Sequence, residues 1–288
     1  DVAASAITDA AGNDNTAAAT RFAFTHDRTA PTVVITSSAV DTGGSHNGAA
    51  TMTFTFSEEM TGISSTDFTV NNCASSDFQT LTANTVFTQI CTPTTNGATV
   101  TIGVLAARGT DPAGNDNAAA TDFTFTYDTT VPTVSSIAVT GVTSGQYGND
   151  ATYTVIVTAS EALEDAPTLT LGGGSVGDGA GSGGGSTTIW TYTFTPTSND
   201  QAVTINVAAG AITDAAGNDN AVAATQFAFT HDRTAPTVVI TTTSVDTGGS
   251  HNGAATMIFT FSETMTGISD SDFTFNNCDK SGYNAVSG

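Results

Sequence analysis

The chain is poor in positive charge. Five Lys and Arg stand against 27 Asp and Glu in 288 residues, a formal net charge of −22. That balance argues against nucleic acid and anionic membrane surfaces as partners, because both recruit basic patches. Charge of either sign is sparse, at 11% of residues, which separates the sequence from disordered acidic tails. No run approaches the ~20 apolar residues of a spanning helix, so no membrane insertion is expected in this segment. Helical periodicity is missing throughout. Catalytic sets are missing too. The four histidines are two repeat pairs, His26 with His231 and His46 with His251, and Tyr127 stands at the matching position of the copy between His26 and His231. A catalytic histidine would not become tyrosine in the next copy. No Ser/His/Asp or Cys/His arrangement recurs, so the reading is that this is no enzyme.

What is present is alternation. Met52, Phe54 and Phe56 alternate with threonines, as do Phe123, Phe125 and Tyr127, Trp190, Tyr192 and Phe194, and Val203, Ile205 and Val207. A period of two with β-branched outward residues means half-buried strands. Strands are expected near 32–37, 50–57, 67–72, 78–82, 85–91, 98–106 and 120–127, then near 133–140, 151–159, 168–171, 187–195, 202–208 and 224–231. The glycine-rich run at 171–186 reads as a flexible loop; neither the Lys-Ser/Thr nor the helix of a phosphate loop follows it.

The chain also repeats. Residues 7–15 (ITDAAGNDN) return as 212–220, with a looser copy at 110–117; Asp9, Asp111 and Asp214 mark the same point at spacings of 102 and 103. A second level lies at 205: residues 29–36 equal 234–241, residues 41–52 equal 246–257, and Cys73 matches Cys278. Two module types, A and B, therefore alternate. The expected division is 1–29 (tail of a B), 30–129 (A), 130–233 (B) and 234–288 (head of an A). Both ends cut through a module, so the chain reads as a window on a longer protein. The fold class is all-β: an elongated array of tandem sandwiches, about seven strands each.

Of three cysteines, Cys73 and Cys91 fall in one A module, and the image of Cys91 would lie beyond the last residue. The arithmetic suggests a Cys73–Cys91 disulfide in each A module and an oxidising compartment; two buried free thiols are the alternative.

In a sandwich the incoming linker, the B–C loop and the F–G loop share one pole. The A module places Asp27, Glu58, Asp67, Asp111 and Asn115 there; the B module places Asp128, Glu161, Asp214 and Asn218; the second A head supplies Asp232, Glu263 and Asp272. Carboxylates crowded without basic neighbours repel, and Ca²⁺, with six to eight oxygen ligands, relieves that. One Ca²⁺ per junction is the expectation. The alternatives are turn chemistry, with Asp capping the turn and Gly or Asn at positive φ, or pairing with Arg28 and Arg233.

The run FTFSExMTGxSxxDF at 54–68 and 259–273, the Asp-Ala-Ala-Gly-Asn loop and the Asp-x-Thr-x-Pro-Thr linker resemble bacterial Ig-like domains found in tandem in giant surface proteins. Residues 160–163 (SEAL) and 167–171 (PTLTL) give the B module the look of a sister subfamily in the same proteins. The resemblance implies an Ig-like sandwich, an extracellular or cell-surface location, stalk or adhesin roles, and often calcium at junctions. The cysteine pair and the glycine insertion depart from the usual pattern. The function read here is a structural stalk or scaffold segment of a long surface protein or fibre, with neighbouring modules as its main partners. The alternative is an adhesive module in which the glycine-rich loop, or Trp190 with Tyr192, meets a glycan or protein ligand. Lateral self-association into a filament is a third possibility.

Overall fold

A computed structural model describes residues 1–177 and 187–285. The alternating segments form strands, as their period requires. The first sandwich contains β1 (Val33–Ser37), β2 (Ser45–His46), β3 (Ala50–Phe56), β4 (Phe68–Asn71), β5 (Cys73–Thr82), β6 (Val86–Pro93), β7 (Thr99–Val104) and β8 (Phe123–Tyr127). One sheet runs β1-β3-β6-β5 and the other β2-β8-β7-β4. Met52, Phe54 and Phe56 of β3 face inward and meet Val100, Ile102, Phe123 and Phe125 of the opposite sheet in one core.

The second sandwich repeats the order with β9 (Val134–Val139), β10 (Tyr147–Gly148), β11 (Tyr153–Leu163), β12 (Leu169–Gly172), β13 (Gly174–Val176), β14 (Thr187–Pro196), β15 (Gln201–Val207) and β16 (Phe227–His231). Its sheets are β13-β14-β11-β9 and β10-β16-β15-β12. Val155, Val157, Trp190, Tyr192, Phe194, Val203 and Ile205 fill the space between them. The second A head adds β17 (Val238–Thr242) and β18 (Met257–Phe261), paired in the register of β1 and β3: Val238 opposes Phe261 as Val33 opposes Phe56. At the other end Phe22 and Phe24 are 84% and 77% exposed, whereas Phe227 and Phe229, their images, lie in the core.

Three features depart from the sequence reading. Residues 73–82 form one long edge strand, not a short one near 78–82. Part of the expected glycine loop is strand, since β12 reaches Gly172 and β13 spans Gly174–Val176; residues 178–186 of that loop lie outside the described residues. Two-residue parallel strands, β2 and β10, pair with β8 and β16. Behind the first two lies one pivot. Asn72 (φ 58°), Gly173 (φ 79°) and Asn277 (φ 60°) occupy equivalent positions in the left-handed region. There the chain leaves the sheet of β7 or β15 and joins that of β6 or β14. Glycine takes this conformation without strain and asparagine tolerates it.

Candidate junction site

The F–G loop is a self-contained turn. Asp111 Oδ1 accepts from the Ala113 and Asn115 amides, both at 2.8 Å, and its Oδ2 accepts from Asn115 Nδ2 at 2.8 Å. Gly114 closes the turn at φ 94°. Asp214 repeats the pattern with Ala216 and Asn218, and Asp9 with Ala11 and Asn13. Two residues on, the buried Asn117 accepts from the Arg108 and Gly109 amides and donates to the Leu105 and Ala118 carbonyls; Asn220 does the same in the second sandwich. This second asparagine escaped the sequence reading, although Asn-Asp-Asn closes all three copies of the motif.

The loop delivers Asp111 to a carboxylate group. Oxygens of Asp27, Glu58 and Asp111 all lie within 4.8 Å of one another, and so do those of Asp128, Glu161 and Asp214. Each triad draws on the linker, the end of the B strand (or just past it) and the F–G loop. In the linker, Asp27 Oδ1 accepts from the Thr29 amide at 2.9 Å and Asp128 Oδ1 from Thr130 at 2.8 Å. The electrostatics follow. Desolvation, then the neighbouring Asp27 and Asp111 charges, push the Glu58 carboxyl above its ordinary range; desolvation, Asp214 and Asp128 do so for Glu161. Asp111 moves the other way, held low chiefly by the Asn115 side chain and amide. Among the described residues the ion pairs are Arg21–Asp1 and Lys280–Asp270, so Arg28 and Arg233 do not neutralise the carboxylates.

The remaining expected site residues lie elsewhere. Asp67 does not join its triad; its Oδ2 is tied to the Ser64 amide and hydroxyl at 2.8 and 2.7 Å. Asp272 makes the same local bonds to Ser269, which lower its pKa. Glu263 is exposed and Asp232 half-buried, and among the described residues they belong to no such group. Asn115 and Asn218 turn their amide nitrogens to the aspartates and act as braces. Asn218 Nδ2 also reaches the Asp128 carbonyl at 2.9 Å, and its Oδ1 accepts from Asn47 Nδ2 of the preceding sandwich at 3.1 Å. Asn96 holds the other side of this linker, accepting from the Thr129 amide at 2.7 Å and donating to Thr130 Oγ1 at 3.1 Å. Neither Asn47 nor Asn96 carries a signal in the sequence that names its partner.

The aromatic pair considered for ligand binding is interior. Trp190 and Tyr192 are 3% and 4% exposed, and Tyr192 Oη donates to the Pro167 carbonyl at 2.6 Å. Burial pushes the Tyr192 phenol up to about 12. The reason is the phase of β14, whose Trp-Thr-Tyr-Thr-Phe alternation turns the rings to the core and the threonines out.

A family model described as a bacterial Ig-like domain matches twice, over residues 27–127 and 128–230. Both matches begin at a linker aspartate of a triad. Among solved structures, the I9–I11 tandem of titin is similar at 9% identity and a TM-score of 0.26, over 70% of this chain and 66% of that one. The chain thus spans just under two thirds of that structure's length. No curated protein sequence matches. With two consecutive matches spanning most of its length, the chain belongs to the family of bacterial Ig-like domains.

Proposed function

We propose that the chain is a structural segment of an extracellular stalk or scaffold, built of alternating A and B modules and stiffened at each junction by Ca²⁺. The observation that carries this reading is the recurrence of one carboxylate triad at two successive junctions, each assembled from linker, B-strand end and F–G loop. Three carboxylates without a basic partner suit a hard divalent cation, and the Glu58 and Glu161 carboxyls are raised first by desolvation and then by the neighbouring carboxylate charges that a cation would offset. Asp27, Glu58 and Asp111 would hold one ion, and Asp128, Glu161 and Asp214 the next. Because each set joins linker to module, bound metal would restrict the hinge. Modules that contact only their neighbours set length by copy number, which suits a stalk. The adhesive alternative loses Trp190 and Tyr192, which are core residues.

The chain has one tryptophan, Trp190, in the second sandwich, so its fluorescence isolates that module during thermal unfolding. Ca²⁺ is expected to raise the midpoint of this transition and chelator to lower it, with Glu161→Gln abolishing the difference. A midpoint indifferent to calcium would leave the triads as turn and linker chemistry alone.

A further inference from the structure

The two sandwiches solve one local packing problem in different ways. Immediately after the pivot, Cys73 opposes Pro93 on β6, and Gly174 opposes Pro196 on β14. In the same registers Ser75 opposes Cys91, and Val176 opposes Phe194. Cys73 therefore corresponds to Gly174, and Cys91 to Phe194. The first pair is a disulfide with a Cα–Cα distance of 5.6 Å. In the second, the Phe194 ring lies over the glycine, where an added Cβ would collide with its Cζ and with the Thr195 carbonyl. One diagonal across two strands is closed covalently in one module and by an aromatic ring in the other.

The surroundings make this difference consequential. Residues 74–76 of β5 are all exposed, so within the first half of the strand only Cys73 reaches the core. The pairing with β6 then breaks register between Ser76 and Gln79, around Asp77 at φ 50°. Within the break Phe78 turns to the core and anchors the second half, its ring 5.8 Å from that of Phe87. The first half lies between a pivot and a bulge, with the bridge as its one core attachment. In β13 the corresponding segment keeps an apolar anchor of its own, Val176.

We infer that the Cys73–Cys91 bridge is a redox-operated latch on residues 73–76 of the A module, while the B module holds the matching segment in either redox state. Reduction by a thiol-class reductant is a two-electron exchange. A thiolate attacks Cys73 Sγ, the half-buried sulfur, and the S–S bond breaks with the buried Cys91 sulfur as leaving group, which takes up a proton. A second reductant thiol frees Cys73 and leaves as the oxidised disulfide. The freed half-strand then retains backbone pairing and the packing of one half-buried thiol, and its departure uncovers the edge of β6 from Ile90 to Pro93.

Hydrogen exchange followed by mass spectrometry tests this on the full chain carrying Cys278→Ser, which removes the exposed free thiol. Reductant is expected to speed exchange of the amides at 73–76 and 90–92 by roughly tenfold or more, with 174–176 unchanged. Unchanged protection at 73–76 would overturn the latch. So would a uniform acceleration across the whole first sandwich, which would make the bridge a global staple. A transplant adds an independent arm. Cys73→Gly with Cys91→Phe, copying the second module, should protect 73–76 with or without reductant. Exchange there as fast as in the reduced parent would refute the equivalence. The comparison on the unsubstituted cysteines stands by itself should the transplant disturb the sandwich.

Discussion

At the scale of single residues the junction sets desolvation and carboxylate repulsion against hydrogen bonding. Glu161 has a raised pKa, so the folded state holds its proton more tightly than the unfolded state. Its contribution therefore falls as pH rises through the window above the ordinary value of 4.5. Asp111 is lowered, so its contribution is present above 3.8 and lost as pH falls below that value. In chelator, urea midpoints read from Trp190 should decline from pH 4.5 towards neutrality, and Glu161→Gln should flatten that decline and raise stability at pH 7. Asn220, 2% exposed with four bonds to backbone groups, is a different kind of residue. Asn220→Ala strands buried donors and acceptors and should cost about 2–4 kcal/mol in the same unfolding experiment. The triads were legible because the chain repeats them, and the topology of a sandwich says which loops share a pole. Asp67 and Asp272 show the limit of that argument: recurrence marks them, yet each recurs to cap its own local turn. Asn47 was out of reach because its partner lies 171 positions away on another module.

At the scale of elements, alternation located nearly every long strand, since a half-buried sheet face demands a period of two. It could not find β2 or β10, which are too short to have a period. It also cut β5 short, because that strand is exposed on both faces over most of its length. The pivot explains where β4 stops and β5 starts. Asn72→Gly should leave stability within about 0.5 kcal/mol of the parent, whereas Asn72→Val forces a β-branched residue to positive φ and should cost about 1–3 kcal/mol. Urea unfolding of the first sandwich, followed by hydrogen exchange at β4 and β5, checks both. The core of that sandwich answers to ordinary packing rules. Phe54 is fully buried on the central β3, and Phe54→Ala should cost about 3–5 kcal/mol without moving the Trp190 transition.

At the scale of the whole molecule, two identically ordered sandwiches meet at a linker tied on both sides, by Asn96 from one module and Asn218 from the other. Asn47 adds a direct bond across the boundary. Asn47→Ala should leave both unfolding midpoints within about 0.5 kcal/mol, since a surface contact contributes little to either fold. It should broaden the distribution of distances between spin labels placed on the two modules, measured in chelator. Unchanged distances would mean that Asn96 and the linker alone set the angle. The alternation of module types has a further consequence, for synthesis. Identical strands in adjacent modules would compete for each other's partners as the chain emerged, and exchange between neighbours is a characteristic failure of repeat proteins. Here the nearest duplicate of a β1 or β3 sequence lies 205 residues away, with a module of different sequence between. The local concentration of wrong partners is lowest where a nascent strand searches first, so alternation allows one strand order to be repeated without offering its neighbour an interchangeable part.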